Sequence, residues 1–313
     1  MKCLVTGGAG FLGAALANRL VAEGHVVYVL DDLSAGERQA LGPEVLFTRG
    51  DVRDVPRLWS LLAGVDAVFH LAAKVSVPES ILYPVEYNAV NTGGTVSVMA
   101  ACRDAGVARV VLTSSGTVYG TQSTQPISET AWPRPVNPYA VGKLAAEGYV
   151  RAIGELYRIE TVILRVFNAY GPGQAVPPNH PPVVPAFTRQ ILAGGSIVLH
   201  GAPPGEQTRD FVYVDDVIDA LVLAGSAPGL AGSIFNIGSG VETRLADVVA
   251  GLERASGRQA AVLTAPEQSG GIARMCADIG AARTGMGWQP RVNLATGLER
   301  MVRWAADQRQ AQA

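Results

Sequence analysis

The chain has 313 residues, 48% of them hydrophobic and 17% charged, which suits one large domain or a main domain with a smaller partner and excludes disorder. A net charge of −2 gives no general attraction to nucleic acid or an anionic membrane, and neither is expected as a partner. Mean hydropathy is +0.21, yet no apolar stretch of spanning length escapes interruption by a charge or turn residue. The amino terminus enters a strand at once, with no secretory pattern, so a cytoplasmic location is expected. Cys3, Cys102 and Cys276 are far apart, as are His25, His70, His180 and His200, so buried thiols are expected and no metal site.

The first half alternates short β-branched runs with longer helical patterns. In order come Leu4 to Thr6, a helix from Phe11, Val26 to Leu30, Val45 to Thr48, a helix from Val55, Ala67 to His70, a helix from about Val90 to Ala105, and Val110 to Thr113. That alternation predicts a doubly wound parallel sheet, an α/β Rossmann domain with helices on both faces. Ligands bind beyond the carboxyl ends of such strands, here at Gly7, Asp31, Asp51, Ala72 and Ser114-Ser115. Asn137-Pro138 opens a helix running to about Tyr157, and Thr161 to Phe167 reads as a strand. Gly171 to Pro185 carries six prolines and reads as a rigid crossing loop, followed by a helix from Val184 to Ala193, the run Arg209 to Val214 and a helix from Asp216. The expected division is a cofactor domain of residues 1–166 and 211–234, with a smaller mixed α/β substrate domain of residues 167–210 and 235–313.

Two constellations carry chemistry. Gly7, Gly10 and Gly13 follow the first strand and open a helix, and the second strand ends in Asp31. Glycines let the backbone turn sharply against a pyrophosphate, the helix presents unpaired N–H groups to it, and the acid reaches a ribose diol. Tyr139 and Lys143 stand four apart on one helix face, where an ammonium favours the phenolate and lowers the tyrosine pKa towards neutrality. Such a tyrosine can exchange a proton with a substrate hydroxyl, and Ser115, at the end of a central strand, can share that proton.

With these motifs the chain resembles the extended short-chain dehydrogenases/reductases, and among them the NAD-dependent nucleotide-sugar epimerases. The resemblance spans nearly the whole length and rests on Thr6 to Gly13, Asp31 to Ser34, Gly50-Asp51-Val52, His70 to Ala73, Asn91 with Gly94-Thr95, Ser114 to Gly120, Tyr139 to Lys143, Phe167 to Pro172 and Arg209 to Val212. It implies bound NAD and C4 epimerisation of UDP-glucose/UDP-galactose by transient oxidation. Gly7, Gly10 and Gly13 would hold the pyrophosphate, Asp31 the adenosine ribose, Asp51 and Val52 the adenine, and Lys143 the nicotinamide ribose. Phe11, Leu12, Asp32, Ser34, Leu71, Ala72, Ala73, Asn91, Ser114 and Tyr139 complete the implied cofactor set. Tyr139 would be the base and Ser115 its partner, with Thr117 beside the sugar, Asn168 on the nucleotide phosphates and Arg209 on the diphosphate.

Sister families differ at identifiable places. Sugar 4,6-dehydratases that resemble this segment carry an Asp-Glu pair where Gly116-Thr117 stands here, and decarboxylating relatives carry a glutamate at Thr117, so simple epimerisation is favoured. The family's clamp arginine and acid are missing from Glu267 to Gly271, leaving Arg209 or Arg274 for the diphosphate. Val166 replaces a frequent tyrosine, and Met275 falls near a position that sizes the sugar pocket. Arg189 facing a uronate carboxylate would indicate a UDP-glucuronate 4-epimerase instead; a one-way NAD-dependent oxidoreductase and a redox-sensing NAD binder are the remaining alternatives. The resemblance also implies a homodimer, with the helices Val90 to Ala105 and Pro138 to Tyr157 as candidates for its interface.

Overall fold

A computed structural model describes residues 1–200, 205–265 and 272–312. Its centre is a seven-stranded sheet in the order β11-β6-β5-β4-β1-β2-β3, parallel throughout. The strands are β1 (Lys2–Thr6), β2 (Val26–Asp31), β3 (Leu46–Arg49), β4 (Ala67–His70), β5 (Arg109–Ser115), β6 (Glu160–Val166) and, further along the chain, β11 (Ser233–Ile237). The strand order reverses at β1, flanked by β2 and β4, and this is where a doubly wound sheet opens a ligand crevice.

Side-chain alternation divides the core. Cys3 and Val5 of β1 face one cluster, completed by Leu16 and Leu20 of α1 (Phe11–Ala22) and Val217 and Leu221 of α8 (Val214–Ser226). Leu4 faces the other, with Leu58 and Leu62 of α2 (Val55–Leu62), Val98 and Met99 of α5 (Gly94–Ala105) and Ala146 and Val150 of α6 (Pro138–Tyr157). Both sheet faces are therefore dry, which is why the strands read as nearly continuous apolar runs.

The single helix expected from Val90 is broken up: α3 (Val77–Leu82) and α4 (Pro84–Asn88) lead into a π-helical turn over Ala89–Gly93 before α5. Pro84 at the start of α4 and the wide turn carrying Asn91 explain why a 3.6-residue pattern misplaced the start. Strand β5 continues two residues beyond the expected Thr113, to Ser115. Strand β6 stops at Val166, and β7 (Asn168–Tyr170) pairs in parallel with β10 (Phe211–Tyr213), outside the main sheet. The proline tract yields to α7 (Val183–Ala193), which takes Pro185 into its first turn, where an absent N–H costs nothing.

Two further small sheets pair β8 (Ser196–His200) with β13 (Ala261–Ala265) in parallel and β9 (Thr208–Arg209) with β12 (Thr243–Arg244) antiparallel. Helices α9 (Leu245–Ser256), α10 (Gly280–Gly285) and α11 (Leu294–Gln312) complete the fold. Strand β11 crosses the expected domain limit at residue 234, because its pairing with β6 runs through Ile237.

The turn after β1 is packed to contact. A Cβ on Gly13 would lie 2.1 Å from the Gly7 carbonyl oxygen and 2.6 Å from the Gly8 Cα, backbone atoms that cannot step aside. Gly13→Ala is therefore expected to cost about 3 kcal/mol through overpacking and to lower the thermal unfolding midpoint. An unfolding midpoint equal to that of the parent would contradict the packing described.

Candidate active site

The crevice is built by the turn after β1. Gly7 has φ +67°, and a Cβ there would meet Ala72 Cα and N at 2.7 Å, so this turn and the segment after β4 touch backbone to backbone. Gly10 caps α1 with no side chain to bond its first N–H groups, and a Cβ on it would meet only the Gly7 oxygen, at 3.3 Å. Phe11, Leu12 and Gly13 supply the helix's first turn. At the end of β2, Asp31 Oδ2 accepts from the Ala9 N–H at 2.9 Å and Oδ1 from the Leu33 N–H at 2.8 Å, fixing the acid against the glycine turn. Asp32 accepts from the Ser34 N–H at 2.8 Å and shapes the next turn.

The other expected cofactor residues frame this crevice. Asp51 is held by Arg53 through bonds of 2.9 and 2.6 Å, and that partner keeps its carboxyl below the usual range. Val52 is buried against Gly94. Beyond β4, the Leu71 N–H donates to the Thr6 carbonyl at 3.1 Å and the Ala72 N–H to Thr6 Oγ1 at 3.4 Å, with Ala73 following. Asn91 spends its amide on Lys74, accepting from its N–H at 2.8 Å and donating to its carbonyl at 2.9 Å; it orders this wall from within.

His70 is fully satisfied. Thr95 donates to the Asn91 carbonyl at 2.6 Å and so accepts from His70 Nε2 at 3.0 Å, which leaves Nδ1 to accept from Thr6 Oγ1 at 2.7 Å. Burial, with Lys143 nearby, lowers its pKa to about 3 and keeps it neutral.

The reacting groups come from β5 and α6. Asn137 caps α6 by accepting from the Ala140 N–H at 2.9 Å, and Pro138 occupies its first turn. Tyr139 and Lys143 are 8% and 5% exposed, on one face of that helix. Lys143 Nζ donates to the Thr113 carbonyl at 2.8 Å. Ser115 Oγ accepts from the Thr117 N–H at 3.2 Å and from Thr117 Oγ1 at 3.0 Å, and its hydroxyl is the group that lowers the Tyr139 pKa. With its acceptor sites filled, Ser115 is left as a donor towards the phenol.

The electrostatics correct the sequence expectation. Burial raises the Tyr139 pKa, and the Ser115 hydrogen bond is what pulls it back. Lys143 is lowered to about 8 by the same burial, opposed by Glu147. The expected lowering of the phenol by the ammonium is absent because both groups are desolvated and the ammonium is tied to the strand backbone.

The substrate side is less uniform. Asn168 Oδ1 is buried without a hydrogen-bond partner, an acceptor that a ligand donor would satisfy. Arg209 is lowered by burial and donates to its neighbour's carbonyl, Thr208 O, at 2.7 Å; among the described residues no carboxylate pairs with it. Next to it, Asp210 is completely buried and accepts from the Ser239 N–H and hydroxyl, the Gly240 N–H and the Ala277 N–H at 2.5 to 3.0 Å. Arg274, the alternative diphosphate cation, is instead gripped by Glu242 through two bonds of 2.7 Å. Arg189 is exposed and donates to the Val176 carbonyl at 3.4 Å, an arrangement of a surface arginine. Met275 is buried at 3% exposure, and the Glu267 to Gly271 stretch lies outside the described residues.

Ser114, expected on the cofactor, turns its hydroxyl to Glu147 Oε1 at 2.5 Å. Sequence reasoning missed this carboxylate and its partner Arg165, although an arginine inside the apolar run of β6 signals a buried partner. The three cysteines are free and buried.

Gly7, Gly10 and Gly13 leave the cradle a pyrophosphate needs, Asp31 stands at the second strand's end, and Tyr139 and Lys143 lie across the β4–β5 side; these residues fit a dinucleotide.

Comparison with known proteins agrees. Residues 3–238 match the NAD dependent epimerase/dehydratase family. A UDP-glucose 4-epimerase of Mycolicibacterium smegmatis is 41% identical over 310 residues, covering 96% of this chain and 97% of the relative. The structure of a UDP-glucose 4-epimerase from Thermotoga maritima with UDP-glucose superposes with a TM-score of 0.94 at 32% identity, covering 98% of this chain and 99% of that one. A dTDP-glucose 4,6-dehydratase from Streptomyces venezuelae with NAD bound gives a TM-score of 0.91 at 34% identity, covering 99% and 98%. With its glycine turn, strand-end acid and Ser115-Tyr139-Lys143 constellation, the chain belongs to the NAD dependent epimerase/dehydratase family.

Proposed function

We propose that the protein interconverts UDP-glucose and UDP-galactose at C4 in the cytoplasm, as a homodimer. The observation that carries the choice of reaction is at Gly116. A Cβ there would sit 3.0 to 3.1 Å from the Phe167 ring, so the acid that related dehydratases carry would fit at 116 only if that ring gave way by a few tenths of an ångström. Fold likeness does not make this distinction, since an epimerase and a dehydratase superpose almost equally well.

Within the site, Tyr139 takes the proton of the sugar 4-hydroxyl and returns it once the sugar presents its other face. Ser115 donates to the phenolate, and Lys143, held on the β5 backbone one helix turn away, is placed for the nicotinamide ribose. NAD, when bound, supplies a hydride acceptor that gives the hydride back, so the sugar passes through a 4-keto form without net redox. Arg209 and the Asn168 Nδ2 amide hold the nucleotide diphosphate, which leaves the sugar the only part free to turn. The uronate alternative loses its support at Arg189, which is exposed and occupied by Val176.

Apolar surface supports the dimer. Val141, Tyr149 and Leu156 are 52%, 47% and 75% exposed at spacings of one α6 face, beside Ile81, Leu82, Tyr83 and Val85 around α3 and α4. Beside α6 the large exposed apolar side chains lie around α3 and α4, which we add to the expected helix Val90 to Ala105 as an interface element. The three buried free thiols suit a reducing compartment.

Proton NMR of the purified protein incubated separately with UDP-glucose, UDP-N-acetylglucosamine and UDP-glucuronate tests the reaction. A galactose signal in the first tube, with no stoichiometric NADH, is expected; product in another tube alone would overturn the assigned sugar. Tyr139→Phe is expected to lower kcat about 10²–10⁴-fold while NAD still binds, and near-parent turnover would remove Tyr139 from the proton transfer. For the dimer, Leu156→Glu should shift sedimentation from two chains to one, whereas a monomeric parent would end that proposal.

A further inference from the structure

Glu147 lies on α6 one turn beyond Lys143, is 3% exposed, and has no part in the proton transfer just described. Its carboxylate is fully engaged: Oε1 accepts from Ser114 Oγ at 2.5 Å and Arg165 Nε at 2.9 Å, and Oε2 from Arg165 Nη2 at 2.6 Å. Arg165 extends the network, donating from Nη1 to the Tyr119 hydroxyl at 2.9 Å with its guanidinium 4.8 Å from that ring's centre. Tyr119 then donates to Asn236 Oδ1 at 2.7 Å, and Asn236 Nδ2 donates to the Ile127 and Asp278 carbonyls at 2.8 and 3.1 Å. One polar chain thus links α6, β5, β6 and β11 to segments beside the substrate region.

The position of Ser114 gives this network a consequence. The residue before it, Thr113, holds the Lys143 ammonium through its carbonyl, and the residue after it, Ser115, is the neighbour that lowers the Tyr139 pKa. Whatever fixes Ser114 fixes both contacts at once. A buried ion pair adds little stability over apolar residues of similar volume, so stability alone is a weak reason for the pair to stand here.

We propose that Glu147 and Arg165 are positioning residues: their ion pair clamps the end of β5 to α6 through Ser114 and so keeps Ser115 beside the Tyr139 phenol and Lys143 on the Thr113 carbonyl. The proposal rests on Ser115, Tyr139 and Lys143 being the reacting groups. The groups that face the acid–base pair are His70 from β4, kept neutral by burial, Thr113 and Ser115 from β5, and Glu147 on α6 itself.

The test is the double variant Glu147→Met/Arg165→Met, which removes one charge of each sign and leaves the net charge unchanged, together with Ser114→Ala as a milder release of the same clamp. Two readouts are taken on the NAD-loaded protein. Ultraviolet difference titration of the Tyr139 phenol, read against Tyr139→Phe in each background, needs no substrate and stays informative even if the proposed sugar proves wrong. Its midpoint is expected to rise by about half a pH unit or more in the double variant. With UDP-glucose, kcat is expected to fall about tenfold or more at little change in KM, with Ser114→Ala intermediate. A double variant that unfolds with the parent's midpoint and keeps both the phenol titration and kcat would overturn the proposal, because a merely structural pair replaced by packed apolar groups moves neither. If the double variant fails to fold, Ser114→Ala decides alone: an unchanged phenol midpoint refutes the clamp.

Discussion

The absence of room for a single carbon at Gly13 is the constraint from which the rest of the site follows. The first turn of α1 rests directly on the backbone of the turn after β1, and that turn rests on Ala72 after β4. Three chain segments therefore meet at the point where strand order reverses, with the helix N-terminus aimed outward. Asp31 then braces the same turn from β2 through the Ala9 N–H, so the acid and the anion-binding backbone form one rigid unit. Rigidity of this kind suits a protein that retains its dinucleotide through a cycle with no net redox change.

Opposite treatments of buried charge distinguish the two sides of the crevice. On the Rossmann side the charged groups are matched: Glu147 by Arg165 and Ser114, and Lys143 by a backbone carbonyl. On the substrate side Arg209 is desolvated with only the Thr208 carbonyl as partner, while the neighbouring Asp210 is saturated by backbone and hydroxyl donors. An anion arriving at Arg209 meets a cation that has already lost much of its hydration, which strengthens the attraction. Arg274 is the contrasting case, exposed and satisfied by Glu242, whose carboxyl that arginine holds down at about 2.

Much of the fold was legible because a parallel sheet buried on both faces writes its strands as apolar runs and its helices with a different period. The glycine turn, the end of β2 and the start of α6 at Pro138 were readable for local reasons: backbone freedom, strand alternation and a proline with no N–H to satisfy. The wide turn at Asn91 was not readable, since one extra residue per turn leaves no compositional mark. Strand β11 was missed because its partner, β6, precedes it by some seventy residues and nothing local announces the pairing. The chemistry of Tyr139 was half readable: spacing placed it beside Lys143, but spacing carries no measure of burial, and burial reverses the sign of the pKa shift. Arg274 and Ser114 show the same limit, for their side chains were already engaged by Glu242 and Glu147.

Phe167 packs its ring against Gly116, at the junction where the chain leaves β6. The residue that crowds position 116 is thus not itself part of the proton-transfer machinery; it is a packing neighbour at the junction between β6 and β7. A carboxylate at 116 would need the ring to shift by a few tenths of an ångström, so a step towards water-eliminating chemistry at this position carries a packing cost. Such a cost helps to separate one reaction type from its neighbour in sequence space, and part of that barrier lies in van der Waals contact rather than in chemistry.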